Sequence, residues 1–291
     1  MKLLVTGGSG FLGGYVLAET VRRGHQVTAL ARSAAAAQVV AAQGARPLPG
    51  NLGQPQQLDE AFAAAGCDAL INLAYLGSGH GPAVVAAAEE AGIKRAVFVS
   101  TTAVTTTAGP PANYIRLAEE QIRASSLAWT ILRPTMIYGD AGDRSLSRLL
   151  RVLRRAWVLP VPGAGSCLHQ PVHVADVASA VLTAAERDAA AGSRYDVAGP
   201  EPFPFTELLG TCARAVGSRT RLVPVPLRPL VVAARGYERV SRHPRIRAEQ
   251  IQRLAEDKAF GIHDAVHDLG YAPRPFAEGI RAEARCLGLA A

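Results

Sequence analysis

The segment Thr6-Gly7-Gly8-Ser9-Gly10-Phe11-Leu12-Gly13 carries the clearest chemistry in the chain. Gly8, Gly10 and Gly13 satisfy G-x-G-x-x-G, while Gly7, Gly10 and Gly13 satisfy G-x-x-G-x-x-G. Glycine turns left-handed without steric cost and lets backbone approach a ligand closely. A helix opening at such a turn aims free N–H groups and the positive end of its dipole at phosphate. The turn directly follows an apolar strand pattern and precedes a helical one, the context in which glycines hold a dinucleotide pyrophosphate. Gly7, Gly10, Phe11, Leu12 and Gly13 are therefore the expected cofactor-binding residues.

A missing acid refines the choice of dinucleotide. A carboxylate near the end of the second strand would take the ribose 2′-hydroxyl of NAD. Here that strand ends Leu30-Ala31-Arg32-Ser33, and no acidic residue occurs between Glu19 and Asp59. Arg32 offers a planar, permanently charged fork suited to a 2′-phosphate, so NADP(H) is the expected cofactor. Beyond the fourth strand lies a loop, Gly77-Ser78-Gly79-His80-Gly81, at the edge where open α/β sheets bind ligands. Tyr75, His80, Tyr138 and His169 are further side chains that could face a pocket.

The elements that must position these residues follow from periodicity. Short apolar runs at Lys2–Thr6, Gln26–Ala31, Arg46–Leu48, Ala69–Leu73, Ala96–Ser100 and Trp129–Arg133 read as strands. Helical patterns fall between them at Phe11–Arg23, Gln54–Ala65, Pro82–Ala91 and Asn113–Ala124. Alternation of this kind predicts an α/β fold, a doubly wound parallel sheet of these six strands with helices on both faces. After Pro134 the rhythm breaks: a basic helix spans Arg144–Ala156, a Pro/Gly-rich connection Leu159–Gly165, a helix Val174–Arg187 and a short strand Tyr195–Val197. From Pro202 onward the chain reads as helices at Pro204–Val216, Leu227–Ser241, Arg245–Glu256 and Phe276–Leu287, without strands. The expected organisation is a nucleotide-binding domain over 1–134, rejoined by 167–200, and a smaller, mainly helical lobe for substrate from 135–166 and 201–291.

Composition bounds the alternatives. With 291 residues, 49% hydrophobic, the chain is long enough for a sizeable core without staples. Cys67, Cys167, Cys212 and Cys286 are widely spaced, which argues against a zinc site and a disulfide framework, so no metal is expected. No run of about 18 apolar residues occurs, and a cytoplasmic location without membrane contact is the expectation. The net charge is +7, and the densest basic stretch holds Arg235, Arg239, Arg242, Arg245, Arg247 and Arg253. A solvated helical face, or a site meeting an anionic ligand, explains it better than nucleic acid. The expected partner is a small-molecule substrate, with a homodimer left open.

Several motifs in order carry a resemblance: the glycine turn, Gly50-Asn51-Leu52, Asn72-Leu73-Ala74, Val99-Ser100-Thr101-Thr102, Leu132-Arg133-Pro134 with Ile137-Tyr138-Gly139, Pro171-Val172-His173-Val174-Ala175-Asp176-Val177, and Ala198-Gly199-Pro200-Glu201. Through them nearly the whole chain resembles the short-chain dehydrogenase/reductase superfamily, in its extended or atypical NAD(P)-dependent epimerase/dehydratase-like branch, with a Rossmann fold. The resemblance implies Asn51 and Leu52 against the adenine, Leu73 and Ala74 beside the cofactor ribose, and the segment after Pro134 at the nicotinamide. His173 and Asp176 fall in what the family treats as a structural joint.

Family chemistry needs a hydroxyl, a tyrosine and a lysine four residues on, whose charge lowers the phenol's pKa. Thr102 matches the hydroxyl, with Ser100 and Thr101 adjacent. Tyr114 is the tyrosine of the following helix, and the residue four later is Ala118. Aligning instead from Glu119 and Arg133 puts the tyrosine position at Pro111 and the lysine position at Ile115, so the lysine is absent either way. The nearest lysines are Lys94 and Lys258, and Arg116 is the nearby cation. Thr102 and Tyr114 are the candidate catalytic pair. The reading is an NADP(H)-dependent oxidoreductase acting on a carbonyl or alcohol, with an epimerase or isomerase, and a sensor or assembly protein without redox turnover, as alternatives.

Overall fold

The computed structural model describes residues 1–105, 110–241 and 248–290. Arg242, Arg245 and Arg247 of the basic stretch, and the start of the helix expected at Arg245, lie outside them.

Strands β1 (Lys2–Thr6), β2 (Gln26–Ala31), β3 (Arg46–Pro49), β4 (Ala69–Asn72), β5 (Arg95–Val99) and β6 (Ala128–Pro134) join the strand Ser193–Val197 in one sheet. Its order is Ser193–Val197, β6, β5, β4, β1, β2, β3, and every neighbouring pair is parallel. The central strands are apolar almost throughout because helices cover both faces. Helices α1 (Phe11–Arg22), α2 (Ala34–Ala42), α3 (Pro55–Ala65), α4 (Gly81–Glu90) and α5 (Pro110–Ala124) connect the first six strands. On one face, Leu58 and Phe62 of α3, Val84 and Ala88 of α4 and Ile122 of α5 pack on Leu4, Leu70 and Phe98. On the other, α1 packs against the helix Val174–Glu186. Arg23, just past α1, ties the two together through Glu19, Ser179, Thr183 and Glu186, and His25 bonds Glu186 at 2.6 Å. This is the doubly wound α/β architecture. Strand order reverses between β1 and β4, so the ligand crevice of such a sheet opens at the carboxyl ends of those two strands.

The sheet has seven strands where six were expected. The segment 195–197 extends to Ser193 and pairs along β6, with Tyr195 opposite Leu132. Helix α2 was also not anticipated; its nearly all-alanine run lacks a polar face, and Ser33 caps it by accepting from the Ala36 amide at 3.2 Å. Strands also appear where a connection and a strand-free tail were expected. Val158–Pro162 pairs in parallel with Arg221–Val225, and Phe203–Pro204 pairs with Leu168–His169. Short two-stranded ladders tolerate proline because each strand has an edge that needs no partner.

Two compact units result. One comprises 1–135, 174–197 and 261–272, and the other 136–173, 198–260 and 273–291. Four stretches fall differently from the expected boundaries: 167–173 and 198–200 belong to the second unit, and residue 135 and 261–272 to the first. The helix His263–Leu269 reaches the first unit's edge strand, because Tyr195 Oη donates to Asp268 at 2.9 Å and Arg187 to the Asp268 carbonyl at 2.6 Å.

In the second unit Leu150, Leu208, Leu209 and Ile280 form a core around fully buried Tyr138. Tyr138 meets His173 and Phe276 edge-on, at ring centroid separations of 5.4 and 5.2 Å. Gly279 lies under its hydroxyl, where any side chain would collide. His169 is a buried core histidine whose ring donates to the Leu254 carbonyl at 3.2 Å, and burial lowers its pKa. Asp143 caps the helix Leu146–Leu153 by accepting from the amides of Ser145, Leu146 and Ser147.

Glu283, in the helix Phe276–Cys286, is also fully buried. Burial, and then the charge of Asp143, push its carboxyl up to about 8. Its folded pKa lies above the ordinary value of 4.5, so the neutral acid is the form that folding favours. That stability is complete below pH 4.5 and lost as pH rises through about 8. Urea unfolding from pH 5 to 9 should therefore show a decline on the order of a few kcal/mol. Glu283→Gln should flatten this profile by raising stability at the alkaline end.

Candidate cofactor and active site

Gly7 follows β1 with φ 74°, a left-handed conformation that costs glycine nothing. Its amide neighbourhood is tight: a Cβ here would lie 3.0 Å from the Ala74 nitrogen and the Leu73 carbonyl carbon. The turn closes when the Gly10 amide donates to the Gly7 carbonyl at 3.1 Å. At Gly13 a Cβ would run into the carbonyl oxygens of both Gly7 and Gly8. Absence of side chains thus seats the first turn of α1 on the end of β1. No side chain caps this helix. The amides of Phe11, Leu12 and Gly13 are first-turn donors, which an α-helix leaves without internal partners. Concave backbone, free donors and a helix dipole together make a fitting cradle for a pyrophosphate.

Asn72 fixes the other side of the crevice. It is buried at the end of β4, accepts from the Thr6 hydroxyl at 2.6 Å and donates to the Ala74 carbonyl at 3.2 Å. It therefore ties the ends of β1 and β4 together and sets the path of Leu73 and Ala74. Sequence reading placed Asn72 in a motif without giving it a role. A polar residue closing an otherwise apolar strand was the available signal.

Arg32 stands at the end of β2, exposed and without a hydrogen bond or ion pair among the described residues. It borders a groove of about 460 Å³ with Ser33, Pro49, Gly50, Asn51 and Gln54. Asn51 shapes that groove's rim by accepting from the Gly53 amide at 3.0 Å, while Leu52 is half-buried against the core.

Thr102 is buried in a short 3-10 turn after β5, and its hydroxyl donates to the Pro134 carbonyl at 3.4 Å. Nearby, Glu119 of α5 sits buried between two strands. It accepts from Ser100 Oγ at 2.6 Å and from Arg133 Nε at 2.9 Å, with a second, shorter bond from Arg133 Nη2. This forked pair anchors α5 to the ends of β5 and β6, a role that the sequence positions of Glu119 and Arg133 do not reveal.

Tyr114 lies on the same helix but is 58% exposed, and it makes no hydrogen bond among the described residues. Arg116 bonds the Val104 carbonyl and Asn113. No hydrogen bond joins Thr102 to Tyr114. Of the other side chains considered for a pocket, Tyr75 is exposed and His80 stands at the N-terminus of α4. Tyr138 and His169 are core residues of the second unit.

Known proteins resemble this chain in sequence and in fold. A sequence family described as NAD(P)H-binding matches residues 7–188. The chain is 31% identical to a 4-hydroxy-2-methyl-3-oxo-4-farnesyl-3,4-dihydroquinoline-1-oxide ketoreductase of Stigmatella aurantiaca, over 94% of this chain and 92% of that protein. It is 29% identical to a 2-alkyl-3-oxoalkanoate reductase of Stenotrophomonas maltophilia, over 97% of this chain and 98% of that one. Among solved structures, the triphenylmethane reductase of Citrobacter has the same fold, with a TM-score of 0.79 and 21% identity over 99% of this chain and 100% of that one.

Two substitutions test the cradle. Gly13→Ala should abolish NADPH binding in a fluorescence titration, because its methyl would push α1 away from the turn. Asn72→Ala leaves the buried Thr6 hydroxyl without its acceptor and should cost about 1–3 kcal/mol in urea unfolding.

Proposed function

We propose, for a chain that belongs to the short-chain dehydrogenase/reductase superfamily in its extended, epimerase/dehydratase-like NAD(P)H-binding branch, that it is an NADP(H)-dependent oxidoreductase acting on a carbonyl or alcohol of a small molecule. The observation that carries the coenzyme choice is Arg32. It lacks any partner among the described residues and borders a groove at the strand end where the coenzyme's ribose is read. A guanidinium pairs two N–H donors with phosphate, whereas a bare ribose hydroxyl calls for a carboxylate. None stands between Glu19 and Asp59.

When bound, the coenzyme supplies or accepts the hydride. The turn amides of Gly7, Gly10, Phe11, Leu12 and Gly13 hold its pyrophosphate, Asn51 and Leu52 flank the adenine, and Leu73 and Ala74 flank a ribose. Pro134 opens the segment at the nicotinamide. Thr102 orients the substrate oxygen; its 3.4 Å bond to the Pro134 carbonyl is long and readily exchanged. Tyr114 exchanges the proton with that oxygen.

The missing lysine gives this chemistry a direction. The residue four after Tyr114 is Ala118, so no lysine charge stands one turn along to help the tyrosine take a proton from an alcohol. Reduction of a ketone is therefore favoured over oxidation of an alcohol. The names of both relatives, a ketoreductase and an oxoalkanoate reductase, support an oxo substrate with an apolar chain. A second reading, NADP(H) binding without redox turnover, draws on the exposure of Tyr114 and its lack of any bond to Thr102. Epimerase or isomerase chemistry would use the same residues.

Arg32→Ala should weaken NADPH binding roughly tenfold or more, the value of a charged phosphate contact, and leave NADH binding nearly unchanged. Oxidation of NADPH should be followed against a panel of alkyl-substituted 3-oxo esters and cyclic ketones. The oxidoreductase reading expects turnover, and losses in kcat of roughly 100-fold for Thr102→Ala and Tyr114→Phe. Tight binding with no turnover across the panel favours the second reading. Turnover indifferent to both substitutions removes these residues from the mechanism.

A further inference from the structure

The second unit carries a surface feature that the coenzyme chemistry does not use. Trp157 is 89% exposed, and Val158 beside it is 55% exposed. They lie where the helix Leu146–Leu153 gives way to the strand Val158–Pro162. A groove of about 470 Å³ there is lined by Arg154, Arg155, Trp157 and Arg219. Arg221 pairs with Val158 in the two-stranded ladder, and its amide donates to the Trp157 carbonyl at 2.8 Å. None of these four arginines has a carboxylate partner among the described residues.

The groove is built rather than frayed. Ser218 Oγ donates to the Leu153 carbonyl at 2.5 Å, and Thr220 Oγ1 bonds the carbonyls of Leu153 and Ala156 at 3.0 and 2.5 Å. These hydroxyls close the helix end and hold the loop that bears Arg219. The surrounding sequence reinforces the charge. No acidic residue occurs between Asp143 and Asp176, or between Glu207 and Glu238, although five arginines lie in each interval. A water-exposed indole among four uncompensated guanidinium groups is unfavourable in solution and complementary to one environment. Tryptophan settles at the boundary between headgroups and acyl chains, while arginines meet lipid phosphates.

We propose that this face docks the protein on an anionic phospholipid surface. Trp157 and Val158 enter the headgroup boundary, and Arg154, Arg155, Arg219 and Arg221 contact phosphate. This is contact with a surface and not a span, since no helix among the described residues is long and apolar enough to cross a membrane. The valine beside the indole favours lipid over nucleic acid, which would stack on the ring and gain little from an aliphatic neighbour. The inference does not depend on the coenzyme or on redox turnover.

Co-sedimentation of the full chain with vesicles tests it. One set should be phosphatidylcholine alone, and the other phosphatidylcholine with about one-third phosphatidylglycerol. The proposal expects pelleting with the acidic vesicles alone, weakened by added salt through screening. In a Trp129→Phe background, the emission of Trp157 should shift to the blue on addition of those vesicles. Trp157→Ser should lower the partition coefficient severalfold, and each of Arg154→Gln and Arg155→Gln roughly fivefold. Unchanged melting temperatures and NADPH affinity in these variants show that the fold is intact. No pelleting with acidic vesicles, or pelleting indifferent to Trp157→Ser, overturns the proposal. So does retention of a single-stranded oligonucleotide, or self-association abolished by Trp157→Ser, without vesicle binding.

Discussion

At the end of β1, backbone packs against backbone with no room for a side chain. Gly7 lies against the main chain of Leu73 and Ala74, and the Gly13 α-carbon faces the carbonyls of Gly7 and Gly8. Much else follows from this closeness. It lets α1 begin directly over the sheet, so that its uncapped amides and dipole point into the crevice where strand order reverses. A helix start left without a side-chain cap is a local deficit, and an anion between the strands satisfies it. The uncapped helix start, a deficit in folding, is what suits a pyrophosphate.

Around this bare turn, the chain uses buried polar groups to hold strand ends in place. Asn72 couples β1 to β4, and Glu119 with Arg133 and Ser100 couples α5 to β5 and β6. Such pairs rarely add much net stability, because both charges must leave water. Their value lies in geometry, since breaking one partner strands the other. They fix the path of the residues that border the crevice: Asn72 holds the Ala74 carbonyl directly, and Leu73 and Pro134 are chain neighbours of Asn72 and Arg133. The α5 helix that they anchor bears Tyr114, while the segment between β5 and α5 bears Thr102.

The parts of this design that were legible in the sequence are those set by short-range periodicity. The glycine turn between a strand and a helix, each of the six apolar runs and the lack of an acid near Arg32 are each contained in a short stretch of chain, about forty residues at most. The seventh strand could not be read so easily. Ser193–Val197 finds β6 across some sixty residues of intervening chain, and its Arg194 and Asp196 interrupt the apolar pattern. The ladder of Val158–Pro162 with Arg221–Val225 was hidden for a different reason. Its prolines read as breakers, but a strand with a free edge has no need of every amide. At the candidate site, the residue types were visible while their exposure was not. Nothing in the sequence distinguishes a buried Thr102 from a Tyr114 that is largely open to water. Nor could it reveal that Glu119 and Arg133, used to align a motif, are a buried forked pair.

We propose that backbone amides at the start of α1 hold the coenzyme's phosphates. Amide hydrogen exchange, read by mass spectrometry with and without saturating NADPH, observes those donors directly. Slowed exchange is expected in peptides covering Gly7–Gly13 and in those reaching Arg32, with little change across the Phe276–Cys286 helix. Saturation by NADPH with unchanged exchange over Gly7–Gly13 would contradict it.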